Sequence, residues 1–128
     1  MKYIIITLGL IICQNFFFGQ NKTKVALTPA YFDVTAIDVP VDAVVDEATT
    51  CTIYISNTGT TGGIQDVTID WQKGGVSKYS HDVSKTIGGS GSINFTDEYT
   101  PLLGGTDWKI TVTTDDDSLE SITFTVDF

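Results

Sequence analysis

The sequence predicts an all-β protein: a single immunoglobulin-like antiparallel β-sandwich of about seven strands, preceded by a signal peptide. Three observations predict it. After residue 30, apolar and polar residues alternate with period two, the mark of strands with one face buried and one wet. Gly, Asp, Asn and Ser fill the gaps between these stretches, where turns need them. No stretch carries the 3.6-residue periodicity of an amphipathic helix. About seven short strands in about 100 residues fit a two-sheet sandwich.

The first predicted strand runs from Tyr31 to Val39. Its apolar phase switches between Val34 and Ile37, which predicts a bulge or a crossing between sheets. The second, Thr49 to Ser56, sets Cys51, Ile53 and Ile55 on one face and Thr50, Thr52 and Tyr54 on the other. The third, Gln65 to Gln72, turns Val67, Ile69 and Trp71 inward. Lys73-Gly74-Gly75 leads into a fourth, Val76 to Val83, whose poor alternation marks an edge. The fifth, Ser90 to Thr96, points Ile93 and Phe95 inward; the sixth, Asp107 to Thr113, does so with Trp108, Ile110 and Val112. The last, Leu119 to Phe128, is expected to bury Ile122, Phe124, Val126 and Phe128. Tyr31 to Val39 reads as the second edge. A membrane-spanning barrel is excluded: the smallest need eight strands of about 9–11 residues, more than this chain can supply.

The beginning of the chain predicts export. Lys2 precedes an apolar run from Tyr3 to Ile12, and Gly19 is the small residue before the expected cut. Gln14 and Asn15 interrupt that run well short of the roughly 20 residues a membrane span requires. The domain plan is a signal peptide at 1-19, a short leader at 20-30 and the β-sandwich at 31-128. The expected location is secreted, periplasmic or cell-surface, with no membrane span after cleavage. Leu10-Ile11-Ile12-Cys13 resembles a lipoprotein cysteine box, and a lipid on Cys13 would tether the chain. Ile12 stands where such boxes carry a small residue, so Cys13 is read as part of the apolar signal core.

Cleavage leaves Cys51 as the one cysteine, so no internal disulfide can form, and its inward phase predicts a buried thiol. The remaining domain, about 108 residues, buries roughly two thirds of its unfolded surface and needs no staple. The chain has 16 Asp and Glu against 7 Lys and Arg, a net charge of −9, and all seven cations are lysines. A chain so acidic cannot neutralise phosphates, which excludes nucleic acid as a partner and disfavours anionic membrane surfaces.

The turn chemistry carries a resemblance. Thr52-Ile53-Tyr54-Ile55-Ser56-Asn57-Thr58-Gly59-Thr60 resembles the second strand and following turn of the CARDB module, a bacterial cell-adhesion-related domain. Ile87-Gly88-Gly89-Ser90 is similar to that family's Gly-Ser turn. Leu103-Gly104-Gly105, the strand Trp108 to Thr113 and the acids Asp115 to Asp117 follow the family's order of glycine turn, strand and acidic hairpin. The resemblance covers residues 31 to 128. It implies a non-enzymatic extracellular module, adhesive or spacing, whose partner is a separate extracellular or surface protein. Read from the residues themselves, Asn57 and Gly59 suit turn positions of positive φ, and Gly88-Gly89 and Gly104-Gly105 break strands on the same grounds.

Chemistry-bearing residues are few. His81 is the one histidine, and its neighbours Ser80 and Asp82 point to the opposite face of a strand, so they form no triad with it. No enzyme is expected. Asp115, Asp116, Asp117 and Glu120 cluster oxygen ligands in one hairpin and are the metal candidates, for weak calcium binding, although calcium needs six to eight oxygens. Asp97-Glu98 and Asp46-Glu47 read as smaller acidic pairs in loops. A carbohydrate site would need exposed aromatic faces; Trp71 and Trp108 are in the inward phase, and Tyr54 and Tyr79 are better placed. Two functions remain: an interaction or structural module, with Tyr79 and His81 as partner-contact candidates, and a small ligand-binding module for sugar or calcium.

Overall fold

The computed structural model describes residues 26–128, so the predicted signal peptide and Cys13 lie outside the described residues. The chain folds as an immunoglobulin-like β-sandwich. The described residues form nine strands: β1 Phe32–Asp38, β2 Ala43–Val44, β3 Thr49–Asn57, β4 Gly63–Lys73, β5 Val76–Ile87, β6 Ser92–Tyr99, β7 Gly105–Thr113, β8 Ser118–Glu120 and β9 Phe124–Asp127. One sheet has the order β1-β3-β6; the other runs β2-β9-β7-β4-β5, with β8 also paired to β7. All pairings are antiparallel except that of β2 with β9. β1 and β5 both lie at sheet edges, as their broken alternation predicts. The register of β1 on β3 shifts between Val34 and Ala36, where the apolar phase switches.

The period-two pattern builds the core. Cys51, Ile53 and Ile55 of β3 face Val67, Ile69 and Trp71 of β4 and Trp108, Ile110 and Val112 of β7 in one buried cluster. Trp71 and Trp108 are both fully buried. Large aromatics remove about 150–250 Å² each from water, so each indole contributes about 4–6 kcal/mol of transfer free energy.

Three expectations need correction. The last predicted strand is two strands. Leu119 pairs with Val112 and Phe124 with Trp108, so the stretch between carries one residue more than β7 does. Ser121 makes the break: its N–H donates to Ile110 O at 2.8 Å, and its Oγ accepts the Ile110 N–H at 2.9 Å. Ile122 is thereby turned out, 75% exposed, and Phe128 beyond β9 is 96% exposed. The second correction is Asp97, which lies inside β6 and is buried rather than in a loop. The third is the turn backbone: positive φ falls at Asp42, Asp46, Ser90, Gly74, Gly75 and Gly105, not at Asn57 or Gly59. Gly59 is needed for a different reason, since a Cβ there would strike the Pro29 carbonyl. Asn57 is needed for its amide. Its Oδ1 accepts the N–H of Tyr31 and of Gly59, and its Nδ2 donates to the carbonyls of Thr61 and Gly88. The end of the leader is docked: Thr28 N–H donates to Thr60 Oγ1 at 2.8 Å, and Thr60 N–H to Thr28 Oγ1 at 3.0 Å.

Candidate functional site

A group of polar and aromatic residues gathers along the side of the sandwich where β5 of one sheet meets β6 of the other. Alternation turns Tyr79, His81, Val83 and Lys85 of β5 toward the second sheet, and Ile93, Phe95, Asp97 and Tyr99 of β6 toward the first. Three contacts join the strands. His81 Nε2 lies 2.8 Å from Asp97 Oδ1. The rings of Tyr79 and Tyr99 stack at 5.0 Å with 10° between their planes. Lys85 Nζ sits 4.4 Å from the centre of the Phe95 ring, a cation–π contact.

Asp97 is the hub. Its second oxygen, Oδ2, accepts the indole N–H of Trp71 at 2.8 Å. A buried carboxylate is costly unless its oxygens are satisfied, and here both are. His81 is consequently half-withdrawn, 27% exposed at its side chain, rather than a freely exposed surface residue. Tyr79, 39% exposed, packs on His81 at 4.7 Å and on Tyr99, so the rings form a column from the edge of β5 inward to Trp71 and Trp108. The structure thus brings the two partner-contact candidates together. Sequence reading missed Asp97 and Tyr99, although both continue the inward phase of Ile93 and Phe95.

Among the described residues, no group hydrogen-bonds His81 Nδ1. Cys51 is buried, and burial first, then the charge of Asp97, pushes its thiol up to about 12. Thiolate chemistry requires the opposite shift.

The acidic hairpin holds the other edge. Asp116 Oδ2 accepts the N–H of Phe32 at 2.9 Å, and Asp117 Oδ2 that of Val34 at 2.9 Å. Thr114 Oγ1 donates to Phe32 O at 2.7 Å, and the Tyr31 hydroxyl donates to Asp116 O at 3.2 Å. These bonds cap the free side of β1 in place of another strand. The Asp33 carboxyl is raised above the usual range, chiefly by its hydrogen bond with Asp117; that same bond, with the N–H groups of Val34 and Ser118, holds Asp117 below it. Glu120 does not join the cluster: it takes the Lys109 ammonium at 3.1 Å. Among the described residues, no three His, Cys, Asp or Glu side chains gather closely enough to hold a metal ion.

The sugar-binding candidates are divided by exposure. Both tryptophans are core. The Tyr54 hydroxyl donates to Asp38 Oδ2 at 3.0 Å, a bond that raises the phenol above its ordinary range. A surface concavity of ≈ 380 Å³ by Thr28 to Tyr31, Thr58 and Gly59 presents one ring, that of Tyr31. Among the described residues, no helix is long and apolar enough to cross a membrane.

Solved structures define the class. The chain is similar to a CARDB domain from Pyrococcus furiosus, solved in complex with di-metal ions: the TM-score is 0.60 at 14% identity, covering 83% of this chain and 99% of that one. It is also similar to part of a β-glucosidase from Erythrobacter marinus, with a TM-score of 0.59 and 12% identity over 76% of this chain and 15% of the enzyme. A β-glucosidase from Listeria innocua, in complex with glucose, gives 0.55 and 15% identity over 77% of this chain and 16% of the enzyme. The likeness to the glucosidases is thus confined to a small part of their length. No family model matches the sequence, and no curated protein matches it. The chain is an immunoglobulin-like β-sandwich, and within that class its fold is CARDB-like.

Proposed function

We propose that this protein is an exported, non-catalytic interaction module that binds a separate extracellular or surface protein through the β5 edge, at Tyr79 and His81. The observation that supports this reading is the unequal treatment of two edges. β1 is capped by carboxylates, whereas among the described residues β5 pairs with β4 alone, which leaves its far side open to another chain. Strand addition at such an edge gives affinity through the backbone and selectivity through alternate side chains. A CARDB-like fold as the whole of the described chain agrees with a role as a contact unit.

The test combines Tyr79→Ser with His81→Ser. Circular dichroism establishes whether the variant folds, because His81 and Tyr79 also hold β6. A folded double variant should lose capture of the partner from native host extracts. Capture that survives intact moves the contact elsewhere. Mass spectrometry of the exported protein should show loss of the first 19 or 20 residues; a lipidated start at Cys13 would replace export with membrane tethering.

A further inference from the structure

We propose that the chain occupying the β5 edge is β5 of a second copy of this protein, paired antiparallel about a two-fold axis at Ser80. This rests on reading β5 as the contact edge and names its occupant. β5 is twelve residues long, the longest strand among the described residues, and its far side carries a row of backbone donors and acceptors that β4 does not use. The His81–Asp97 bond and the Tyr79–Tyr99 stack already fasten β5 to the second sheet. Little further ordering is then lost on association.

Register follows from alternation and charge. The register of β5 on β4 shifts between Trp71 and Gln72 and passes over Lys78; from Lys78 onward side chains change face at every residue, so a sheet continuous across two copies must set outer-face positions of β5 against outer-face positions. Only registers that oppose even-numbered residues to even-numbered residues satisfy this. Centred on Asp82, such a pairing sets Asp82 against itself. Centred on Lys78, it sets Lys78 against itself. Centred on Tyr79 or His81, it places Lys78 opposite Ser80 or Ser84. Centred on Ser80, it places Lys78 of each copy opposite Asp82 of the other, twice by symmetry. Both residues are exposed, and among the described residues Lys78 makes no ion pair. On the inner face the same register sets Tyr79 opposite His81, also twice, and so continues the ring column across the axis. Opposite charges and ring pairs directly across from each other are the favourable cross-strand combinations. An isologous contact of this kind is self-complementary.

Sedimentation and light scattering of the purified protein test this. The expected result is a concentration-dependent dimer. Lys78→Glu alone sets acid against acid, and Asp82→Lys alone sets base against base; each should raise the dimer dissociation constant about tenfold or more. An equimolar mixture of the two variants should recover the dimer, because each copy then meets the opposite charge. Both positions are on the outer face, and circular dichroism should show an unchanged fold. A protein that stays monomeric up to about 1 mM, where even weak contacts of this kind register, overturns the proposal. So does a dimer indifferent to both substitutions. A monomer whose capture of another protein still depends on Tyr79 and His81 overturns self-pairing and leaves the edge reading standing; a monomer whose capture ignores them overturns both.

Discussion

The buried carboxylate of Asp97 accepts the indole N–H of Trp71 at 2.8 Å, joining the two sheets through a polar bond inside an apolar core. The same residue holds His81 with its other oxygen. Removing it strands two donors. Asp97→Ala should therefore cost about 2–4 kcal/mol, the penalty of leaving buried donors unmade. Asp97→Asn keeps one acceptor oxygen and should cost less. Urea unfolding of the three proteins gives the ranking, and a cost below about 1 kcal/mol for the alanine variant would show that water replaces the carboxylate.

Trp108→Ala should cost about 3–5 kcal/mol, as for other large aromatics in packed cores. Thr111, three residues on and half-buried, is the contrast. Among the described residues, its enclosed Oγ1 has no hydrogen-bond partner. Thr111→Ala should cost under about 1 kcal/mol, and Thr111→Val should stabilise by up to about 1 kcal/mol, since it removes an unsatisfied oxygen and keeps the shape. Thermal melts decide; a destabilised valine variant would mean that the hydroxyl is bonded in solution.

Cys51 should be inert. At about pH 8 a thiol pushed to about 12 is almost wholly protonated. Native protein should resist alkylation, and denatured protein should react fully. Fast native labelling would show that β3 opens at its Cys51 end.

Asp33 and Asp117 make the pH dependence specific. Asp33 is raised, so its share of stability is present at low pH and is lost as pH rises through its folded value. Asp117 is lowered, so its share is present at neutral pH and is lost as pH falls through its folded value. Asp33→Asn supplies a permanent donor to Asp117 and removes a like charge. It should raise the melting temperature at about pH 7 and change it less near pH 3, where Asp33 is itself protonated. An equal effect at both would place the stabilisation outside this pair.

Strand phase made much of this fold legible. Cys51, Ile53 and Ile55, like Val67, Ile69 and Trp71, keep one parity along their strands, and each is buried. The bulge at Val34 showed as a broken parity, and so did the β5 edge. The split of the last strand was legible in the same currency, because Leu119 and Phe124 differ in parity yet both pack inward; a single strand cannot bury both. Asp97 was harder. Its parity is that of Phe95, but an acid in an inward position gains meaning only when two donors from distant strands, Trp71 and His81, are known to meet it. The role of Asp116 and Asp117 was hidden likewise, since the N–H groups they accept lie more than eighty residues earlier.

The cap on β1 also bears on colloidal behaviour in acid. Two barriers keep neighbouring chains from joining along β1: mutual repulsion from a net charge of −9, and the occupied flank of that strand. Repulsion vanishes near the isoelectric point, ≈ 4.1. Asp117 is held below the ordinary carboxylate range, so its grip on Val34 outlasts that loss. Around the isoelectric point, molecules should then cluster reversibly in their native form. Only in stronger acid, when Asp117 takes its proton and releases the strand, does edge-to-edge growth into ordered fibres become open to them.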